Sequence, residues 1–224
     1  LSRCFTIEYA GWFRLVLPGL ARLGLVVPLG GTTLFFRRDV LDRLGAWDAH
    51  NVTEDADLGI RLARHGYRTE LIDTVTHEEA NCRPLPWIKQ RSRWIKGYMM
   101  TWAVHMRQPR LLWRQLGPKG FLGFQILFLG TIAQFLLAPV LWSFTLLPFG
   151  FDHPLYDALP VWGVWALALT FFLSEAANIL IGALGLGRTA HGLSLIWVLT
   201  LKVYYPLASL AAYKGLIELA TRPF

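Results

Sequence analysis

Charge is scarce in the second half of this 224-residue chain. Residues 121–224 carry eight charged side chains, four basic and four acidic, against 18 basic and 11 acidic in residues 1–120. The net charge of +7 therefore belongs to the first half. With 54% hydrophobic residues, that division excludes a uniformly soluble globular protein and a disordered chain. Cysteine is scarce too. Cys4 and Cys82 lack metal-ligand spacing and are too few for a disulfide scaffold, so two unpaired thiols in a reducing compartment are expected. The sequence opens at Leu1 with no basic, apolar, small-residue leader, and reads as a piece of a longer protein. Internal repeats and low-complexity segments are absent as well. What is left is a membrane protein with a basic, water-facing N-terminal part.

Residues 120–151 contain no charged residue at all. As helix that run is about 45 Å long, more than the roughly 30 Å hydrocarbon core requires. Residues 158–187 contain only Glu175, and residues 189–213 only Lys202 with Pro206 in the middle. Two spans are expected. The third run either crosses or, split at Pro206, forms a broken hairpin near the interface over 192–222 with Phe224 cytosolic. Arg83, Lys89, Arg91, Arg93, Lys96, Arg107, Arg110, Arg114 and Lys119 precede the first span with no acid among them, while the loop at 149–157 carries Asp152 and Asp157. The bias of basic residues places residues 1–119 in the cytosol.

The first half reads as alternating α and β. Short apolar runs at 25–29 and 33–36 flank Gly30-Gly31 and suggest buried strands, with another at 67–72. Asp39 starts a short helix closed by Gly45, and Asn51 or Thr53 caps the next, which Gly66 ends. A longer helix over about 86–106 aligns Ile88, Ile95, Met99 and Trp102 in one apolar stripe, the profile of a helix lying in the membrane interface. The expected fold class is thus α/β joined to an α-helical transmembrane domain, with boundaries at 1–82, 83–119 and 120–224.

Several clusters offer chemistry. In Thr53-Glu54-Asp55 the helix dipole favours an ionised Asp55, which serves either as a cap or as a base. Gln90, Arg93, Trp94 and Gly97 share one helix face: an amide, a guanidinium suited to diphosphate, an indole suited to a sugar ring, and a gap for close approach. The same composition also suits lipid headgroups. Gly30-Gly31-Thr32-Thr33 is a close-approach loop or a plain turn. His77-Glu78-Glu79 lacks a second histidine at ligand spacing. Glu175, with Asn178 a turn away, is an intramembrane acid and so either a functional group or one satisfied within the bundle.

Taken in order, Gly30-Gly31-Thr32, Phe35-Phe36-Arg37-Arg38, Gly45-Ala46-Trp47-Asp48, Thr53-Glu54-Asp55, Gln90-Arg91-Ser92-Arg93-Trp94 and the membrane spans resemble family-2 glycosyltransferases of the cellulose synthase type. The resemblance implies the C-terminal part of a GT-A-type domain over 1–82, an interfacial helix region over 83–119, and transmembrane or interfacial helices over 120–224. It implies an inverting, processive hexosyltransferase of the bacterial inner membrane that extends and translocates a β-glucan from UDP-glucose. The partners would be the nucleotide sugar, the growing glycan and the bilayer, with no nucleic acid. Asp55 would be the general base, with Thr53 and Glu54 shaping its surroundings, Trp94 the stacking platform, Gln90 and Arg93 diphosphate or acceptor contacts, and Gly31 and Thr32 part of the acceptor pocket. Better-known members have Cys-Gly-Ser where this chain has Gly-Gly-Thr. Mg2+ or Mn2+ would bind upstream ligands, leaving no metal ligand here and the fragment alone inactive. The alternatives are a non-processive lipid glycosyltransferase of the ceramide or sterol type, or an inactive membrane scaffold.

Overall fold

The computed structural model describes residues 1–31, 33–189 and 192–222. Every regular element among them is a helix. Helix α1 (Ser2–Gly11) runs through a π-helical turn at Trp12–Val16 into α2 (Leu17–Arg22). Two short helices follow, α3 (Arg38–Arg43) and α4 (Glu54–Arg64), then the long α5 (Pro84–His105). The apolar half comprises α6 (Pro109–Phe124), α7 (Thr131–Ser143), α8 (Val161–Leu186) and α9 (Leu201–Thr221).

The α/β expectation fails. The run at 25–29 is extended and Val26 and Val27 are buried, but helices do the burying. Gly59 of α4 lies so near this run that a side chain there would meet Leu29 N at 3.1 Å and Val27 O closer still. Leu25 rests on Gly123 of α6. An apolar run reports burial, whereas a strand needs a ladder partner, and the described residues supply none. Thr33 and Thr76 meet through their hydroxyls at 2.6 Å without a backbone ladder, and residues 67–72 are likewise not a strand.

Helix α5 is the central strut. Its stripe of Ile88, Ile95, Met99 and Trp102 packs with Ile132 and Phe135 of α7 and with Ala211 and Ala212 of α9. The apolar face is thus covered by protein. Gly215 brings α9 within 2.8 Å (from a would-be Cβ) of Ser92 O. Helix α1 crosses α8 where Gly11 and Gly185 let the two backbones touch, a close approach that side chains would block. Residues 1–22 carry no recognisable motif, yet they supply this helix.

Among the described residues three segments are long and apolar enough to cross a membrane: Pro109–Phe149, Val161–Leu186 and Leu195–Thr221. Trp162, Leu169, Leu173 and Leu180 leave α8 apolar on its outer surface, as a lipid-facing helix must be. The expected break at Pro206 is not found. A proline removes one backbone hydrogen bond, and here α9 runs unbroken from Leu201 to Thr221 with α5 and α7 packed along it. Phe224 lies outside the described residues. The bend falls instead at Gly117, whose φ of 68° and ψ of 173° turn the chain between the two halves of α6.

Candidate active site

The start of α4 is fixed by side chains of its own loop and of α5. Buried Asn51 accepts hydrogen bonds from the Thr53 N–H (3.1 Å) and hydroxyl (3.3 Å), and its amide donates to Thr101 Oγ1 of α5 at 2.8 Å. Thr53 is the N-cap residue, but its side chain makes no capping bond. It presses instead into Gly97 of α5, where a Cβ would lie 2.8 Å from Thr53 Cβ and nearer still to Oγ1. Thr53 and Gly97, 44 positions apart in sequence, therefore interlock through a missing side chain.

Asp55 follows one residue into the helix, half-buried. Its Oδ1 accepts the Ala56 N–H at 2.7 Å, and Oδ2 lies 3.0 Å from where a side chain on Gly31 would begin. Burial pushes the Asp55 carboxyl above its ordinary value, and the neighbouring Glu54 adds to the rise; backbone N–H groups of Ala56 and Gly31 oppose it. A carboxylate so placed is a better base than a solvated one. Glu54 is exposed, and Thr32 lies outside the described residues.

An aromatic cluster lies close enough for the charge of Asp55 to act on one of its members, Tyr9. Phe13 touches Gly30 at 3.3 Å from a would-be Cβ, Tyr9 packs edge-on to Phe13 with ring centres 5.2 Å apart, and Trp94 lies nearly parallel to Tyr9 at 6.5 Å. Burial raises the Tyr9 hydroxyl well above an ordinary phenol, Arg91 opposes, and the negative charges of Glu78, Glu8 and Asp55 add to the rise. Tyr9 and Phe13 escape sequence reading because only the tertiary fold brings α1 to this site.

Gln90 and Arg93 face elsewhere. With Asn81, Pro86, Lys89, Lys214 and Glu218 they line an open hollow of about 600 Å³ between α5 and α9, and Asn81 donates to Gln90 Oε1 at 2.8 Å. Lys214 pairs with Glu218, which leaves Lys89 and Arg93 for an anion. Gly97 therefore meets the Thr53 turn that precedes Asp55 and Trp94 packs on Tyr9, while Gln90 and Arg93 open into a separate hollow. Arg91 points inward: it pairs with Glu8, lies 3.2 Å from the Tyr204 hydroxyl, and sits over the rings of Phe5, Trp87 and Trp94.

A second buried polar chain braces α4. Arg64 Nη1 lies 2.8 Å from His105 Nδ1, and His105 Nε2 lies 3.0 Å from Asp57 Oδ1. Arginine can only donate, so Nδ1 accepts and the ring proton sits on Nε2, donated to Asp57. Arg61 bonds the other Asp57 oxygen at 2.8 Å and holds the Leu44 and Ala46 carbonyls, pinning the turn where Ala46 takes a φ of +55°.

His77, Glu78 and Glu79 are exposed, and no three His, Cys, Asp or Glu side chains among the described residues converge on a point that could hold a metal ion. Glu175 lies half-buried on α8, where Lys202 is the charge acting on it.

Residues 2–211 match the family described as glycosyl transferase family group 2. The chain belongs to that family. Among curated relatives, the probable glycosyltransferase YdaM of Bacillus subtilis is 32% identical over 98 residues, covering 43% of this chain and 23% of that protein. The beta-monoglucosyldiacylglycerol synthase of Synechocystis sp. is 32% identical over 125 residues, or 54% of this chain and 26% of that protein. That of Trichormus variabilis is 30% identical over 101 residues, covering 43% and 21%. The chain thus spans about a quarter of the length of the curated relatives it matches. No solved structure matches it.

Proposed function

We propose that the protein containing this chain is a membrane-embedded, inverting glycosyltransferase that places a single hexose on a lipid hydroxyl. The observation that carries the choice of acceptor is the name shared by the Synechocystis and Trichormus relatives, a synthase of a monoglucosylated diacylglycerol. This reading replaces polysaccharide extension as the principal one. Asp55 takes the proton from the acceptor hydroxyl, whose oxygen attacks the anomeric carbon as the bond to the nucleoside diphosphate breaks. Gly31 keeps the space in front of the carboxylate clear, Glu54 sustains its basicity, and Thr53 locked into Gly97 sets its position. Trp94 and Tyr9 wall the sugar, and Gln90 and Arg93 take the diphosphate. Residues 1–119 occupy the cytosolic side of the bacterial inner membrane, where the donor, UDP-glucose in this reading, is available.

The test is product size. Full-length protein supplied with radiolabelled UDP-glucose and diacylglycerol is expected to give a chloroform-soluble lipid with one sugar. A polymer that stays in the aqueous or insoluble fraction would remove the lipid reading.

A further inference from the structure

The first half of α6 has no place in the reaction above. Pro109 begins it, and Gly117 turns the chain before Pro118 starts the apolar course of the first candidate span. Its inner face is occupied: Leu112 is wholly buried with Ala56 and Ile60 of α4, and Gln115 accepts a 2.7 Å hydrogen bond from Arg64. Its outer face carries Arg110, Trp113 and Arg114, all exposed. Beyond the bend Phe121 folds back against Trp113, edge to face with ring centres 5.2 Å apart. Pro109, Arg110, Trp113, Arg114 and Phe121 line an open hollow of about 520 Å³.

The charge of this hollow is uncompensated. Arg107, Arg110, Arg114 and Lys119 make no ion pair among the described residues. No acid occurs anywhere in residues 80–151. The nearest buried acid of α4, Asp57, is already held by His105 and Arg61. The geometry points to a binding site for the headgroup of an anionic phospholipid: Arg110 and Arg114, one turn apart, grip the phosphate, and Trp113 and Phe121 receive the glycerol and first acyl carbons. Guanidinium groups suit phosphate oxygens bidentately. Aromatic rings settle at the headgroup level of a bilayer. A free phosphate would use the two arginines but leave both rings bare; a lipid covers them, and the hollow opens beside the span that enters the bilayer. Because the other face of this half-helix holds α4, an occupied hollow also sets the height of the helix bearing Asp55 against the membrane.

Native mass spectrometry of the full-length protein in neutral detergent tests the site, with phosphatidylglycerol and phosphatidylcholine titrated separately. Wild type should retain phosphatidylglycerol more tightly by on the order of tenfold, as two juxtamembrane cations provide. Arg110→Ala/Arg114→Ala should erase the preference with an unchanged thermal transition, since both side chains are exposed. Trp113→Ala should weaken both lipids, and Arg38→Ala, which removes one exposed charge elsewhere, should leave the preference intact. Millimolar inorganic phosphate should not displace the bound phosphatidylglycerol. An undiminished preference in the double variant, or displacement by inorganic phosphate, overturns the assignment.

Discussion

At the scale of single residues, Asp55 owes its character to burial, and its pH dependence follows from the direction of the shift. An acid raised above its ordinary value of about 3.9 stays protonated to higher pH. A base must be ionised, so transfer falls as pH drops through that raised value, not through the ordinary one. Glu54 contributes to the rise. Glu54→Gln should therefore move the acidic limb of the rate profile to lower pH; a limb that stays put or moves up contradicts this. Gly97 gives a sharper test of how the two motifs fit. Gly97→Ala must push Thr53 aside, which by overpacking costs about 1–3 kcal/mol and displaces Asp55. Thr53→Gly, which removes the clashing atoms, should restore much of the lost activity in the double variant. Without that rescue the interlock does not position the base. The place of Asp55 in a first helical turn was legible in sequence because start signals are local; the single face expected for Gln90, Arg93, Trp94 and Gly97 divides, with Gln90 and Arg93 lining the hollow beside α9. The contact of Thr53 with Gly97 was not legible, since glycine spacing does not say what fills the gap.

At the scale of elements, the two buried polar chains are the joints. Burial alone would raise Asp57, but the hydrogen bonds from His105 and Arg61 outweigh it and hold its carboxyl below the ordinary range. A depressed acid stabilises the fold fully above its unfolded value of about 3.9, and that stabilisation is lost as pH falls through the lower folded value. Asp57→Ala, which strands Arg61 and His105, should cost roughly 3 kcal/mol or more, visible as a lower melting temperature at pH 7. The Arg91–Glu8 pair joins α1 to α5, with Tyr204 of α9 donating to the same carboxylate at 2.6 Å. Arg91→Met leaves the largely buried Glu8 carboxylate with the Tyr204 hydroxyl but no cation, so it should destabilise more than Arg91→Met/Glu8→Met does. The reverse order in thermal melts would show that the pair does not act as a unit. Helices α4 and α5 could be read from periodicity and capping, because such signals are local. The strand reading failed at 25–29 and 33–36 because an apolar run cannot say whether a sheet or a helix will cover it. Glu8 and Tyr9 passed unnoticed for the same reason: their partners are 83 and 85 residues away, at Arg91 and Trp94.

At the scale of the whole molecule, the gap in charge after Lys119 told most of the story, since a bilayer imposes its requirement on composition directly. The bundle then does two things at once. Its outer face on α8 is apolar, and its inner joints hold α4 against α5 so that a half-buried carboxylate stands beside Gly31, in the same region as the cluster of Phe13, Tyr9 and Trp94. The central claim is that this carboxylate is the base of a family-2 glycosyl transfer. Asp55→Asn keeps the shape and the oxygen that accepts the Ala56 N–H, and removes only the basic charge. The direct measurement is sugar transfer by the full-length variant in native membranes, beside its melting temperature. Transfer should fall by at least about a hundredfold, the lower range for losing a general base, with the melting temperature unchanged or raised. Transfer near the wild-type rate would contradict it and return Asp55 to the part of an ordinary first-turn acid.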